Sequence, residues 1–172
     1  DRLQVRDLKG AKKPSEEADP LLVHPDIRRM LLRAKALIDS SRMLSAWTAL
    51  AIDKSVKDPD EKVRKANHDL VELMTPIIKS ILTDYGVEIS SEMLQIFGGH
   101  GYIREYGMEQ FYRDARISPI WEGTNGIQAM DLAGRKMPQG MGRLLRRFFH
   151  PALAFIEDNR GDENLMEFVV PF

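Results

Sequence analysis

Apolar residues recur at steps of three and four along most of this chain, the mark of helices that bury one face. Between residue 25 and about residue 53 the stripe is Ile27, Met30, Leu31, Ala34, Leu37, Ile38, Leu44, Trp47 and Ala51. Arg28, Arg29, Arg33, Lys35 and Asp39 fall largely off it. Pro25 suits a first helical turn, where its missing N–H is no loss. Such a helix would be about 43 Å long at 1.5 Å per residue. "KDPDEK" breaks the pattern at Pro59, with Asp58 or Asp60 placed to cap the next helix. Val63, Ala66, Leu70, Leu73 and Met74 form the next stripe. Pro76 is expected to kink or restart the helix, with Thr75 as its cap. Residues 76–97 then carry Ile77, Ile81, Leu82, Tyr85, Ile89, Met93 and Ile96, and stop at Gly98 and Gly99, where glycine can take a left-handed cap. Trp47 and the Ile77, Ile81, Ile89 stripe are expected to face inward.

The remainder is less regular. "GAKKPSEEADP", residues 10–20, reads as a loop. Residues 100–123 combine a turn, a short helix over 108–113 and an extended "ISPIWEG". A helix is expected over 124–135, with "MPQGMG" as its stop. The tail 141–159 is amphipathic, setting Arg143, Arg146 and Arg147 against Leu144, Phe148, Leu153 and Phe155. Pro151 interrupts it and its basic residues are few, so it is read as packing against protein, not lying on a membrane. No segment alternates at period two. The fold class is therefore all-α, an antiparallel helical bundle with an additional C-terminal helix.

Composition narrows the function. With 172 residues there is length for one domain with a real core. Lys and Arg number 25 against 26 Asp and Glu, a balance that argues against a nucleic-acid binder, which needs clustered cation. Hydrophobic residues make up 43%, ordinary for a globular chain. No apolar run approaches the roughly 20 residues that span a bilayer, and no signal peptide is read. Cysteine is absent, which excludes disulfides and thiolate zinc sites, and no metal site is expected. A cytoplasmic address fits. The abrupt opening "DRLQVRDLKG" and the apolar close "ENLMEFVVPF" read as the ends of a piece of a longer protein.

The candidate chemistry lies in "QIFGGHGYI", residues 95–103, and "FYRDARISPIWEGTNGIQ", residues 111–128. In the first, glycines past a helix end let another molecule approach the backbone, and Gln95 offers both a donor and an acceptor. In the second, Glu122 stands between an aromatic and a glycine, ahead of a helix that Thr124 or Asn125 could cap. Arg2 is a phosphate partner in waiting.

In order and spacing these stretches, from Leu94 to Gln128, resemble the C-terminal helical domain of the flavin-dependent acyl-CoA dehydrogenases. The family has a Q-x-x-G-G-x-G-[YF] run, then R-D-x-[KR]-I, then an aromatic-E-G-T run. The resemblance implies that Glu122 is the catalytic base. It would take the proton α to a thioester carbonyl while the β-hydrogen leaves as hydride to N5 of FAD. It implies that Gln95, Gly98 and Gly99 contact the adenosine-diphosphate half of FAD held mainly by a neighbouring subunit. Arg2 would meet the pyrophosphate, and Thr124 and Gly126 would lie near the flavin on the catalytic side. Trp121 and Gly123 would meet the substrate. A carboxylate beside a ring in a dry cleft would suit a base, with Glu105 and Glu109 as surface residues by contrast. Gly126 departs from the family's usual Gln or Glu, so only backbone contact can be carried over there. The long 10–20 loop and the chain beyond residue 137 resemble the larger branch that acts on methylthiopropionyl-CoA and long-chain acyl-CoA. Residues 1–137 would then be the bundle and 138–172 the start of a helical extension, with the N-terminal helical and β-domains absent. The implied partners are acyl-CoA, an electron-transfer flavoprotein and further copies of the chain, as a homodimer or homotetramer. Two alternatives stay open. One is an acyl-CoA oxidase that passes electrons to oxygen. The other is a non-catalytic, dehydrogenase-like binding module, against which the neutral charge counts.

Overall fold

The computed structural model describes residues 2–169; Asp1 and residues 170–172, which the division drawn above includes, lie outside them. Helices dominate. α1 spans Pro25–Lys57, α2 Glu61–Phe97, α3 Gly99–Tyr102, α4 Met108–Ile117, α5 Asn125–Asp131, α6 Gln139–Asp158 and α7 Met166–Val169. Among the described residues the only extended pairing is an isolated bridge between Leu3 and Pro20, and no helix is long and apolar enough to cross a membrane. The all-α class holds.

The chain divides into two compact units, Asp1–Met43 with Leu82–Glu122, and Leu44–Ile81 with Gly123–Phe172. In the first, Arg33 pairs with Glu88 between α1 and α2, and Arg29 lies 3.7 Å from Glu92. In the second, Ala51 of α1 packs on Leu70 and Met74 of α2, with Leu44, Val71, Ile77 and Ile78 around them. The inward side of α1 there is set by Thr48 and Ala51, both buried. Trp47 lies off that side and is 40% exposed, against expectation; its ring packs edge-on to Phe148, at 6.1 Å, so only part of it is covered. Ile77, Ile81 and Ile89 are half-buried.

α2 runs unbroken through Pro76, which is buried. Thr75 does not cap a new helix. Its hydroxyl donates to the Val71 carbonyl one turn back (2.8 Å), the usual bond of a threonine inside a helix. α4 also runs past its expected end, to Ile117, because Ser118 continues in helical backbone. "ISPIWEG" is accordingly a turn and not an extended segment: the N–H groups of Ile120 and Trp121 both donate to the Ile117 carbonyl.

In the second unit α5 widens into a π turn over Leu132–Lys136, closed by the Met137 N–H on the Leu132 carbonyl (2.9 Å). The expected stop comes next. Gly140, Met141 and Gly142 all have left-handed backbone before regular helix resumes at Arg143. The arginines beyond it do meet protein. Arg143 Nη2 and Arg147 Nε donate to the two oxygens of the buried Asp69 carboxylate, at 3.0 and 3.3 Å. Lys136, buried as well, donates to Glu72 at 2.9 Å. Breaking such a pair would leave a buried charge uncompensated, so the pairs fix register more than they add stability.

The 10–20 loop has its own centre. Asp19 is fully buried and its carboxylate accepts the N–H groups of Asp7, Lys12 and Lys13 at 2.8–2.9 Å, with Arg6 3.5 Å away. The Asp7 N–H above all, then those of Lys13 and Lys12 and the Arg6 charge, outweigh burial and hold its pKa below the ordinary 3.8. A depressed carboxylate stabilises the fold above its unfolded pKa, and that contribution is lost as pH falls through the folded value. Hydrogen-exchange protection of the Asp7, Lys12 and Lys13 amides is therefore expected to persist down to the ordinary carboxylate value of 3.8 and to be lost only on acidification below it. Asp19→Asn should remove it at neutral pH. Protection that survives the substitution would show that the loop is held otherwise.

Candidate active site

In the first unit the site forms where α2 stops. Gly98 has φ 61° and ψ −149°, a region that is nearly glycine-only. Its N–H donates to the Gln95 carbonyl (2.9 Å), and its own carbonyl accepts from Gly101 (2.9 Å). Gly101 is buried, and a Cβ there would stand 2.7 Å from the Leu94 carbonyl oxygen and 2.6 Å from Phe97 Cβ. The glycines thus fold the chain tightly back on the helix end. Arg2 arrives at the same place, its main chain bound to Leu21 (3.0 Å) and its Nη1 donating to the Phe97 carbonyl (2.5 Å). The cation sits against the helix C-terminus, where unpaired carbonyls concentrate negative charge. A Cβ on Gly98 would lie 2.7 Å from Arg2 Nη1. Arg2, Gln95, Gly98 and Gly99 are therefore brought together, with Gln95 and Gly99 exposed.

Beside them opens a cavity of about 630 Å³ lined by Arg2, Leu21, Leu22, Ile27, Leu31, Ile96, Phe97, His100 and Tyr106. His100 and Tyr106 meet edge to face at 5.0 Å. One guanidinium at the rim of an apolar, ring-lined space suits a flat heterocycle carrying phosphate. His100 and Tyr106 were not singled out from sequence. Only the helix end brings them together.

Trp121 and Glu122 close the first unit. Both are exposed, and no hydrogen bond or ring contact among the described residues joins them to the Arg2 cluster. Glu122 has φ 51°, uncommon for a residue with a Cβ. Neither its carboxylate nor its N–H has a hydrogen-bond partner among the described residues. The dry cleft expected around it is not supplied by this chain, whose Trp121 is 55% exposed. Glu105 is on the surface as expected, but Glu109 is half-buried and paired with Arg113 at 3.4 Å.

In the second unit Gly123 follows with φ 84°. A Cβ on it would stand 2.6 Å from Gln128 Nε2, which donates to the Gly123 carbonyl (3.4 Å). Glycine takes this left-handed backbone without a Cβ clash, and Gln128 fills the space it leaves. Thr124 caps α5, its hydroxyl accepting the Ile127 N–H at 3.3 Å. Asn125 receives Lys79 Nζ (2.9 Å) and donates to the Ser80 carbonyl (3.3 Å), tying the start of α5 to α2. Gly126 is exposed, and a Cβ there would make only ordinary contact, 3.8 Å from Thr124 Oγ1. Packing within the chain gives no reason for glycine at that position.

The chain is similar to known proteins along most of its length. Residues 7–137 match the family model described as acyl-CoA dehydrogenase, C-terminal domain. The chain is 45% identical over 148 residues to the 3-methylmercaptopropionyl-CoA dehydrogenase of Ruegeria pomeroyi, covering 86% of this chain and 24% of that protein. It is 30% identical over 169 residues to a butyryl-CoA dehydrogenase of Syntrophomonas wolfei, covering 98% and 27%. It is 31% identical over 165 residues to the broad-specificity linear acyl-CoA dehydrogenase FadE5 of Mycobacterium tuberculosis, covering 95% and 27%. The chain spans about a quarter of the length of these curated relatives. With a family match over most of its length and relatives along nearly all of it, the chain belongs to the acyl-CoA dehydrogenase family, as a C-terminal domain of that family.

Proposed function

We propose that this chain is the base-bearing part of an FAD-dependent acyl-CoA dehydrogenase, and that Glu122 removes the proton α to the thioester carbonyl. The observation that carries this is the backbone at Glu122. A carboxylate with no partner is held at φ 51° directly ahead of a second left-handed residue. Such a conformation costs about 1–3 kcal/mol and persists where function demands it. The unpartnered carboxylate is free to accept a proton, and the unpartnered N–H is free to donate to the thioester carbonyl. Donation there acidifies the α-carbon by stabilising the charge that develops on oxygen. Gly123 and Trp121, on either side of Glu122 in the sequence, are the residues assigned to the acyl chain. Water exclusion must come from substrate, cofactor or the rest of the enzyme.

The residues at the end of α2 fit a cofactor of this kind. Arg2 would meet the pyrophosphate, with Gln95, Gly98 and Gly99 against the adenosine-diphosphate half, and Thr124 with the Gly126 backbone near the flavin. FAD, when bound, supplies the hydride acceptor at N5. Contact with the cofactor of a neighbouring subunit makes a homodimer or homotetramer the expected assembly. Acyl-CoA is the substrate, electron-transfer flavoprotein the expected electron acceptor over oxygen, and the cytoplasm the expected compartment. Residues 1–137 serve as the family's bundle and 138–172 as the start of an extension. This chain alone would lack turnover, because the family's other domains hold much of the flavin and thioester.

The test is anaerobic. Adding acyl-CoA to the FAD-loaded whole enzyme should bleach the flavin's visible absorbance within the enzyme's turnover time. An enzyme that binds FAD and acyl-CoA without bleaching would overturn the reading in favour of a binding module.

A further inference from the structure

We infer that the start of α6 is a binding site for a phosphate group, separate from every residue assigned to flavin or thioester. Arg143, Arg146, Arg147, His150 and Pro151 line a cavity of about 350 Å³. Asp69 is the one carboxylate the three arginines meet among the described residues, and it binds only Arg143 and Arg147. Two positive charges are left over, the charge of a phosphomonoester dianion at neutral pH. Asp69 also orients the two guanidinia, so that part of the ordering a ligand would otherwise impose is already present.

The third guanidinium is placed by backbone. Arg146 Nη1 donates to the Met141 carbonyl (2.6 Å), inside the left-handed run Gly140–Met141–Gly142. That run needs its glycines. A Cβ on Gly140 would stand 3.3 Å from Arg143 Cβ and 3.5 Å from its Nη1, and one on Gly142 3.7 Å from Arg146 Nη1. A left-handed residue followed by a helical one, as at Gly142 and Arg143, turns successive N–H groups toward a common point, a geometry that receives anions. Arg143 keeps 41% of its side chain exposed beside the Asp69 pair, so its guanidinium remains open to a further acceptor. Guanidinium forks match phosphate oxygens two at a time. The ligand class is thus a phosphomonoester or diphosphate, free or as the headgroup of a lipid.

The test is calorimetric titration of the whole enzyme at low salt with inorganic phosphate and pyrophosphate, beside sedimentation with phosphatidylcholine vesicles with and without phosphatidic acid. Arg146→Gln is the informative variant because it leaves the Asp69 pairs intact; Lys54→Gln, on exposed α1 surface, is the control. Saturable pyrophosphate binding, about tenfold weaker in Arg146→Gln and unchanged in Lys54→Gln, supports a free phosphate ligand. Binding confined to phosphatidic-acid vesicles and lost in Arg146→Gln supports the headgroup. Binding in neither arm, or binding indifferent to Arg146→Gln, overturns the inference. Persistence of the signal in Arg2→Gln separates this site from the proposed pyrophosphate contact, so the two readings fail independently.

Discussion

Alanine at Gly98 is expected to weaken FAD retention about tenfold to a hundredfold while leaving the enzyme folded. Two costs combine. At φ 61° and ψ −149° a Cβ residue is strained by about 1–3 kcal/mol. The added carbon would also stand 2.7 Å from Arg2 Nη1. The guanidinium is flexible and can retreat, but in doing so it gives up the Phe97 carbonyl and moves the charge proposed for the pyrophosphate. Gly86→Ala is the matched control, because nothing lies within 4 Å of its added Cβ in the middle of α2. Equilibrium dialysis of FAD against both variants measures the difference. Equal retention would separate the Arg2 cluster from the cofactor.

What the sequence revealed depended on how local each cause was. The long stripes on α1 and α2 were legible because three-four periodicity is a property of one segment. The stop at Gly98 was legible because the residues marking it are consecutive. Pro76 does not restart the helix as one of its two expected outcomes had it, since a proline ends a helix only when the rest of the helix cannot hold it. Here α2 continues, with Thr75 bonded back to Val71 and Pro76 buried. Trp47 misled because its stripe position was right for a helix but its partner, Phe148, lies 101 positions along the chain. Asp69, Lys136 and Gln128 could not have been singled out. Their roles arise from distant arginines, from Glu72 and from the shape of a left-handed turn. Glu122 is singled out by the order of motifs, but its left-handed backbone and its exposure are visible only in three dimensions.

The second large effect bears on that residue. Glu122→Gln keeps the size of the side chain and its capacity to accept a hydrogen bond, but the amide cannot take up a proton at useful pKa. General-base assistance contributes about a hundredfold to ten-thousandfold, so flavin reduction by acyl-CoA should slow by at least about a thousandfold. A function exercised in the transition state is lost from the rate and not from affinity. FAD and acyl-CoA binding should therefore stay within a few-fold of wild type, and Glu105→Gln, an exposed glutamate nearby in sequence, should match wild type throughout. The decisive measurement is the anaerobic stopped-flow rate of flavin reduction in Glu122→Gln at saturating acyl-CoA. A collapse of that rate with binding preserved is the predicted result; reduction at near wild-type speed would contradict Glu122 as the base.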